Sequence, residues 1–208
     1  MVLKYHLFLE GRMKRQWFFF STLLIVGLLM AACGGGGGGA PVDMQKEETS
    51  AYAIERPKEW KTNSMDLFGV TVLVVSSADI KAESVFESGD FAEAFKDNPG
   101  VIIMTIPQEM AGEGGDFAFS ADEIKNLPND EENVEIVRQG DVTIDGVKGY
   151  ELVGKGEIEE MGSSRMALHI AVLERESGPL AFIGFSPEQD ADKNLDIYKY
   201  MFESIDFK

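Results

Sequence analysis

Between residues 51 and 208 the apolar positions follow two rhythms, and the changes from one to the other mark the elements. Residues 51–57 (AYAIERP) alternate and stop at a proline, which predicts a first strand. Residues 69–77 (GVTVLVVSS) and 101–107 (VIIMTIP) are β-branched and almost continuously apolar, the pattern of central strands covered on both faces. Residues 134–144 and 147–160 flank Asp145-Gly146, while 165–175 and 180–186 flank Glu176-Ser177-Gly178-Pro179. Each pair predicts an antiparallel hairpin, because these residues supply the chain reversal that a tight turn demands. The rhythm turns helical in three places. Phe91, Ala94 and Phe95 share helical spacing within 90–100, and Ser120 with Glu123 forms a capping-box pattern at the head of 120–128. Ser186 as cap, Pro187 in the first helical position and Gln189 open a last helix, with Leu195, Tyr198, Met201, Phe202 and Ile205 on its core face.

Upstream the pattern is different. Trp17 to Ala32 are sixteen residues without a charge, preceded by Lys14-Arg15. A basic start, an apolar run and small residues at its end are the order of a secretory signal. Sixteen residues is short for a spanning helix, which needs roughly 20. Leu29-Met30-Ala31-Ala32-Cys33 resembles a bacterial lipobox, with Met30 in place of the preferred leucine. That resemblance implies acylation of the Cys33 sulfur, cleavage just before Cys33, and a further fatty acid such as palmitate on the new amino group. Met13 opens a complete signal and is the expected natural start, so residues 1–32 are read as a lipoprotein signal peptide. Two or three acyl chains, at about 0.8 kcal/mol per buried methylene, anchor a protein far more durably than one.

Cys33 is the only cysteine, so the folded region has no disulfide available and must rely on its core. Residues 33–50 (CGGGGGGAPVDMQKEETS) lack apolar periodicity and are read as the lipidated cysteine followed by a flexible linker. Residues 51–208 are long enough for one domain with a buried core.

Charge narrows the partners. Four of the 19 basic residues and one of the 36 acidic residues lie in 1–32, which leaves 15 basic against 35 acidic residues and a net charge of −20 in the remainder. Phosphate backbones repel such a surface, so nucleic acid is not an expected partner. Anionic lipid is disfavoured as a ligand of the folded surface for the same reason.

Several segments of the domain resemble the PsbP-like domains, which are also known from DcrB-like and LpqN-like lipoproteins. YAIERPKEWK is similar to their opening strand, proline and tryptophan, VTIDGVKGYELVGKGEI to their middle hairpin, and GFSPEQDADKNLDIYKYMFESIDF to their terminal helix and closing S-I-x-F. The resemblance implies an α+β fold in which helices pack an antiparallel sheet as an α/β/α sandwich. It also implies an accessory or binding role rather than catalysis. The acidic loop at 110–123 and the segment NDEEN at 129–133 depart from that pattern, and no functional residue is carried over.

The residues themselves offer little assembled chemistry. Gly184-Phe185-Ser186-Pro187-Glu188 approaches a nucleophile elbow but lacks the last glycine, and Ser186 is better read as a helix cap. His169 is the one histidine after the signal and sits in a strand without an evident acid or nucleophile, which favours a structural position. Asp190, Asp192, Asn194 and Asp196 have the spacing that opens a calcium loop, but Leu195 stands at the glycine position and Met201 at the bidentate glutamate. A helix accounts for these residues better. Asp130, Glu131 and Glu132 are weak candidates for a calcium ion, and a solvated turn is the simpler account. Trp60, Phe117 and Phe119 are candidates for partner contact, with Trp60 more readily packed over a sheet edge. The expectation is a lipid-anchored, extracytoplasmic envelope protein with a non-catalytic binding domain, no cofactor beyond the lipid, and a protein partner. Inner and outer membranes both remain open as its location. A calcium-binding domain is the alternative, and an envelope hydrolase is the weakest reading.

Overall fold

The computed structural model describes residues 39–67, 69–88, 91–111, 120–127, 134–157 and 165–208. They form an α+β unit that begins at Ala40. Its ten strands are β1 (Met44–Glu48), β2 (Tyr52–Pro57), β3 (Lys61–Leu67), β4 (Val70–Ser76), β5 (Gly100–Thr105), β6 (Val134–Ile144), β7 (Val147–Glu157), β8 (Arg165–Leu173), β9 (Leu180–Pro187) and β10 (Asp206–Phe207). The helices are α1 (Ala82–Ser88), α2 (Phe91–Phe95), α3 (Ala121–Asn126) and α4 (Ala191–Glu203). Seven strands build one sheet in the order β3-β4-β5-β9-β8-β7-β6, antiparallel throughout, and β1-β2-β10 build a second.

Alternation along the central strands sends side chains into two separate cores. Val72, Val74, Ile102, Met104, Leu168, Ile170, Ile183 and Phe185 point to one face, where Ala82 and Val85 of α1, Phe95 of α2 and Ile124 of α3 cover them. Leu73, Val75, Val101, Ile103, Ala171, Leu173 and Phe182 point to the other, under α4 and Tyr52 and Ile54 of β2. The nearly unbroken apolar runs of β4, β5, β8 and β9 follow from this double coverage. The result is the expected layered arrangement, with one addition: the small sheet shares the second face with α4.

The local signals explain the joints. Asp145 and Gly146 both take positive φ, 47° and 79°, as a two-residue hairpin with the twist of its strands requires. Ser120 accepts from the Glu123 amide while Glu123 accepts from the Ser120 amide, which completes the capping box. Gly100 lets Phe95 approach the sheet, since a Cβ there would lie 2.4 Å from the ring, and Phe95 then stacks on Phe185 at 5.0 Å.

Two expectations need correction, and one strand was not foreseen. The segment 33–50 is not all linker, because residues 44–48 are β1, paired antiparallel with β2. Residues 61–67, which carry no strand signal, are edge strand β3. Ser186 is not a helix cap. It lies in β9 opposite Ala167 of β8, and α4 begins only at Ala191 after a 3-10 turn at Glu188–Asp190. Long-range pairing with β8 holds the backbone of Ser186 extended, and a local capping pattern cannot compete with a full ladder.

Candidate functional site

The buried polar groups gather on the face beneath α4. Arg56, His169, Ser186 and Asn194 belong to the strands and helix of that layer, leaving Ser76 as the other buried polar residue described. Each of the four enters because strand or helix periodicity turns it inward, so each needs a partner or costs desolvation energy.

His169 sits in the middle of β8 with 0 % of its surface exposed. Phe182 of β9 and Phe202 of α4 lie against its ring at centroid distances of 5.2 and 5.4 Å. Its Nε2 is 3.1 Å from Oε2 of Glu151 on β7. The Arg138 guanidinium reaches in from edge strand β6 and donates to both carboxylate oxygens of Glu151, at 2.7 and 3.2 Å. Burial pushes the Glu151 carboxyl up, but the hydrogen bonds from His169 and Arg138 outweigh it and hold the group below its ordinary range. Glu151 is therefore a carboxylate, which can only accept, and the bond assigns the imidazole proton to Nε2. Nδ1 is buried and has no hydrogen-bond partner among the described residues. Burial drives the His169 pKa down against the pull of Glu151, so the ring is neutral.

This row of Arg138, Glu151 and His169 has the charge order of a relay, but the imidazole is sealed by two phenyl rings. A general base must reach the proton it takes. Ser186, the serine of the elbow-like segment, is also fully buried. It donates to the Pro187 carbonyl at 3.0 Å and accepts from Asn194 of α4 at 2.8 Å. Its hydroxyl ties the start of α4 to β9.

Two further contacts fix α4. The Tyr198 hydroxyl donates to the Phe185 carbonyl and accepts from the Gly100 amide at 3.1 Å. Gly100 and Phe185 are register partners, so the hydroxyl enters the β5–β9 ladder at its end. Gly184 permits the approach, since a Cβ there would lie 2.7 Å from the Tyr198 ring. Ser204 accepts from the Glu55 amide at 2.9 Å and Tyr200 donates to the Glu55 carboxylate at 2.8 Å, which binds the small sheet to the same helix.

Trp60, named above as a contact candidate, is 9 % exposed and meets Tyr198 edge to face at 6.2 Å. Its carbonyl accepts from the buried Arg56 guanidinium at 2.7 Å, and Arg56 also pairs with Glu47 of β1 at 2.9 Å. The ring belongs to the core at the sheet edge, in line with the packed reading rather than the open docking one. The calcium-like series is dispersed by the helix: Asp190 precedes α4, Asp192 pairs with Lys155, Asn194 is buried on Ser186 and Asp196 faces solvent. Among the described residues no group of three or more His, Cys, Asp or Glu side chains is placed to hold a metal ion. Cys33, Phe117, Phe119, Asp130, Glu131 and Glu132 lie outside the described residues.

The row through His169 was missed in the sequence because its members are 13 and 18 residues apart, on three strands. The available signal was Glu151 beside Leu152 and Val153 in mid-strand, which alternation turns to the same face as His169.

No family model matches the chain, and no curated protein matches it. Among solved structures it is similar to the cyanobacterial PsbP protein of Synechocystis, at 16 % identity and a TM-score of 0.45, over 84 % of this chain and 96 % of that one. It is also similar to LpqN of Mycobacterium tuberculosis, described as involved in cell envelope biogenesis, at 12 % identity and a TM-score of 0.46, over 82 % and 87 % of the two chains. A Pseudomonas aeruginosa protein of unknown function aligns at 12 % identity and a TM-score of 0.43, over 77 % and 94 %.

Proposed function

We propose that this chain is an extracytoplasmic protein held on a membrane by lipid on Cys33, and that its α+β domain acts as a binding or accessory module of an envelope assembly, without catalysis. The observation that carries the reading is the segment Leu29-Met30-Ala31-Ala32-Cys33, which places the single cysteine after a signal-like apolar run and directly before six glycines. The folded unit begins at Ala40, so only Gly34 to Gly39 separate it from the acylated residue. Such a tether keeps the domain at the membrane and raises its effective concentration toward other membrane-held proteins. Among the described residues no helix is long and apolar enough to cross a membrane. The burial of His169 and Ser186 supports a non-catalytic role, because neither group can meet a substrate without opening the core.

Crosslinking in intact cells followed by mass spectrometry tests the reading, with a Cys33→Ala form alongside. A recurrent envelope partner that is lost with the anchor is the expected result. An abundant, anchored protein with no recurrent partner would remove the accessory role.

A further inference from the structure

The bare Nδ1 of His169 gives the α4 face a sensitivity that the other face lacks. The neutral ring satisfies its surroundings: Nε2 donates to Glu151, and the Nδ1 lone pair has no partner among the described residues. A second proton would convert Nδ1 into a donor with no acceptor in reach, inside a box closed by Phe182 and Phe202. Phe182 is fixed in the middle of β9, whereas Phe202 lies in the last turn of α4. The next residue is Glu203, a carboxylate close enough to act on His169 electrostatically and paired with Lys199 at 3.9 Å.

We propose that His169 is a proton-sensitive latch: it seats the C-terminal turn of α4 on the sheet while the imidazole is neutral, and releases that turn when Nδ1 is protonated. The charged groups facing the ring are Arg138 of β6, Glu151 of β7 and Glu203 of α4. The β9 residues beside it are Phe182 and Gly184, which carry no charge. Arg138 opposes the extra proton and Glu151 favours it, but Glu151 is already shared between two donors. Lifting the last turn of α4 lets water or Glu203 reach Nδ1, and it exposes the apolar surface under Phe202, Met201 and Ile197.

The sign follows from linkage. The folded pKa of His169 lies below its ordinary value, so the opened form binds the proton more readily than the closed form. The latch holds fully above about pH 6.5, the range in which a solvated histidine is neutral, and weakens as the pH falls below it. Glu151, whose pKa is also held down, adds loss in the same direction only nearer its own ordinary range of about 4.3.

Amide exchange on the detergent-solubilised full chain, corrected for intrinsic rates, tests the latch between pH 7.5 and 5.5. The expected result is that opening of 197–203 rises by up to about tenfold across this range while β4 and β5 keep their protection, and that His169→Gln flattens the dependence. Constant α4 protection in the wild-type chain, or the same slope in His169→Gln, would overturn the proposal. Imidazole proton resonances supply a check independent of any variant, since His169 is the one histidine after residue 32. The latch requires His169 to resist protonation through the range in which a solvated histidine titrates, about pH 6.5, and to protonate only as α4 opens. A His169 that titrates at the ordinary pH with α4 still protected would also overturn it.

Discussion

The two faces of the seven-stranded sheet are built by different rules. Under α1, α2 and α3 the core is aliphatic and aromatic, with stacked Phe95 and Phe185 and, among the described residues, no buried polar group beyond Ser76 at the end of β4. Under α4 the apolar layer is comparable, but Tyr198, Asn194 and His169 pass hydrogen bonds between helix and strand or between strands. Apolar burial is non-directional and tolerates small shifts of a helix, whereas a buried hydrogen bond fails within a few tenths of an ångström. The first face therefore supplies stability, and the second fixes one position for one helix.

That division can be broken by substitution. Phe185→Ala, on the three-helix face, removes a fully buried ring and its stacking contact with Phe95, and should cost about 3–5 kcal/mol in denaturant unfolding as a global loss. Tyr198→Phe keeps the ring and leaves the Gly100 amide and the Phe185 carbonyl without their partner, for a cost of about 1–3 kcal/mol. Its amide-exchange loss should concentrate in α4 and the adjoining ends of β5 and β9. A uniform loss of protection would mean that the α4 face is specified by packing alone. Ser120→Ala removes the capping box of α3 and should cost about 1 kcal/mol, with Ser120→Asp restoring most of it.

Legibility in the sequence divides along similar lines. β4, β5, β8 and β9 were readable because both of their faces are buried and their composition shows it, and the Asp145-Gly146 hairpin because its turn needs those residues. The capping box of α3 was legible because all of its partners are local. β1 and β3 were not, since edge strands present polar residues to solvent and need only one neighbour. α1 escaped because it is short and buries little besides Ala82 and Val85. On α4, Tyr198, Met201 and Phe202 lie on the core face as expected and Leu195 packs at its margin, while Asn194 and Ile197 are also buried. The helix starts four residues later than a Ser186 cap suggests. The polar row from Arg138 to His169 depends on strand register, which composition does not reveal.

β6 carries a lesson about edges. Its register shifts between Ile136 and Arg138, leaving Val137 bulged and 50 % exposed. A bulge on a free edge discourages pairing with another chain, and here it also accompanies the reach of Arg138 across to Glu151.

The most direct test of the central claim is the intact mass of the protein extracted from its host membranes, with sequencing of its N-terminal peptide. The account predicts a chain that begins at Cys33 and carries a lipid on the sulfur and a fatty acid on the amino group. A chain that retains the residues before Cys33, or one whose Cys33 is an unmodified thiol, would contradict it.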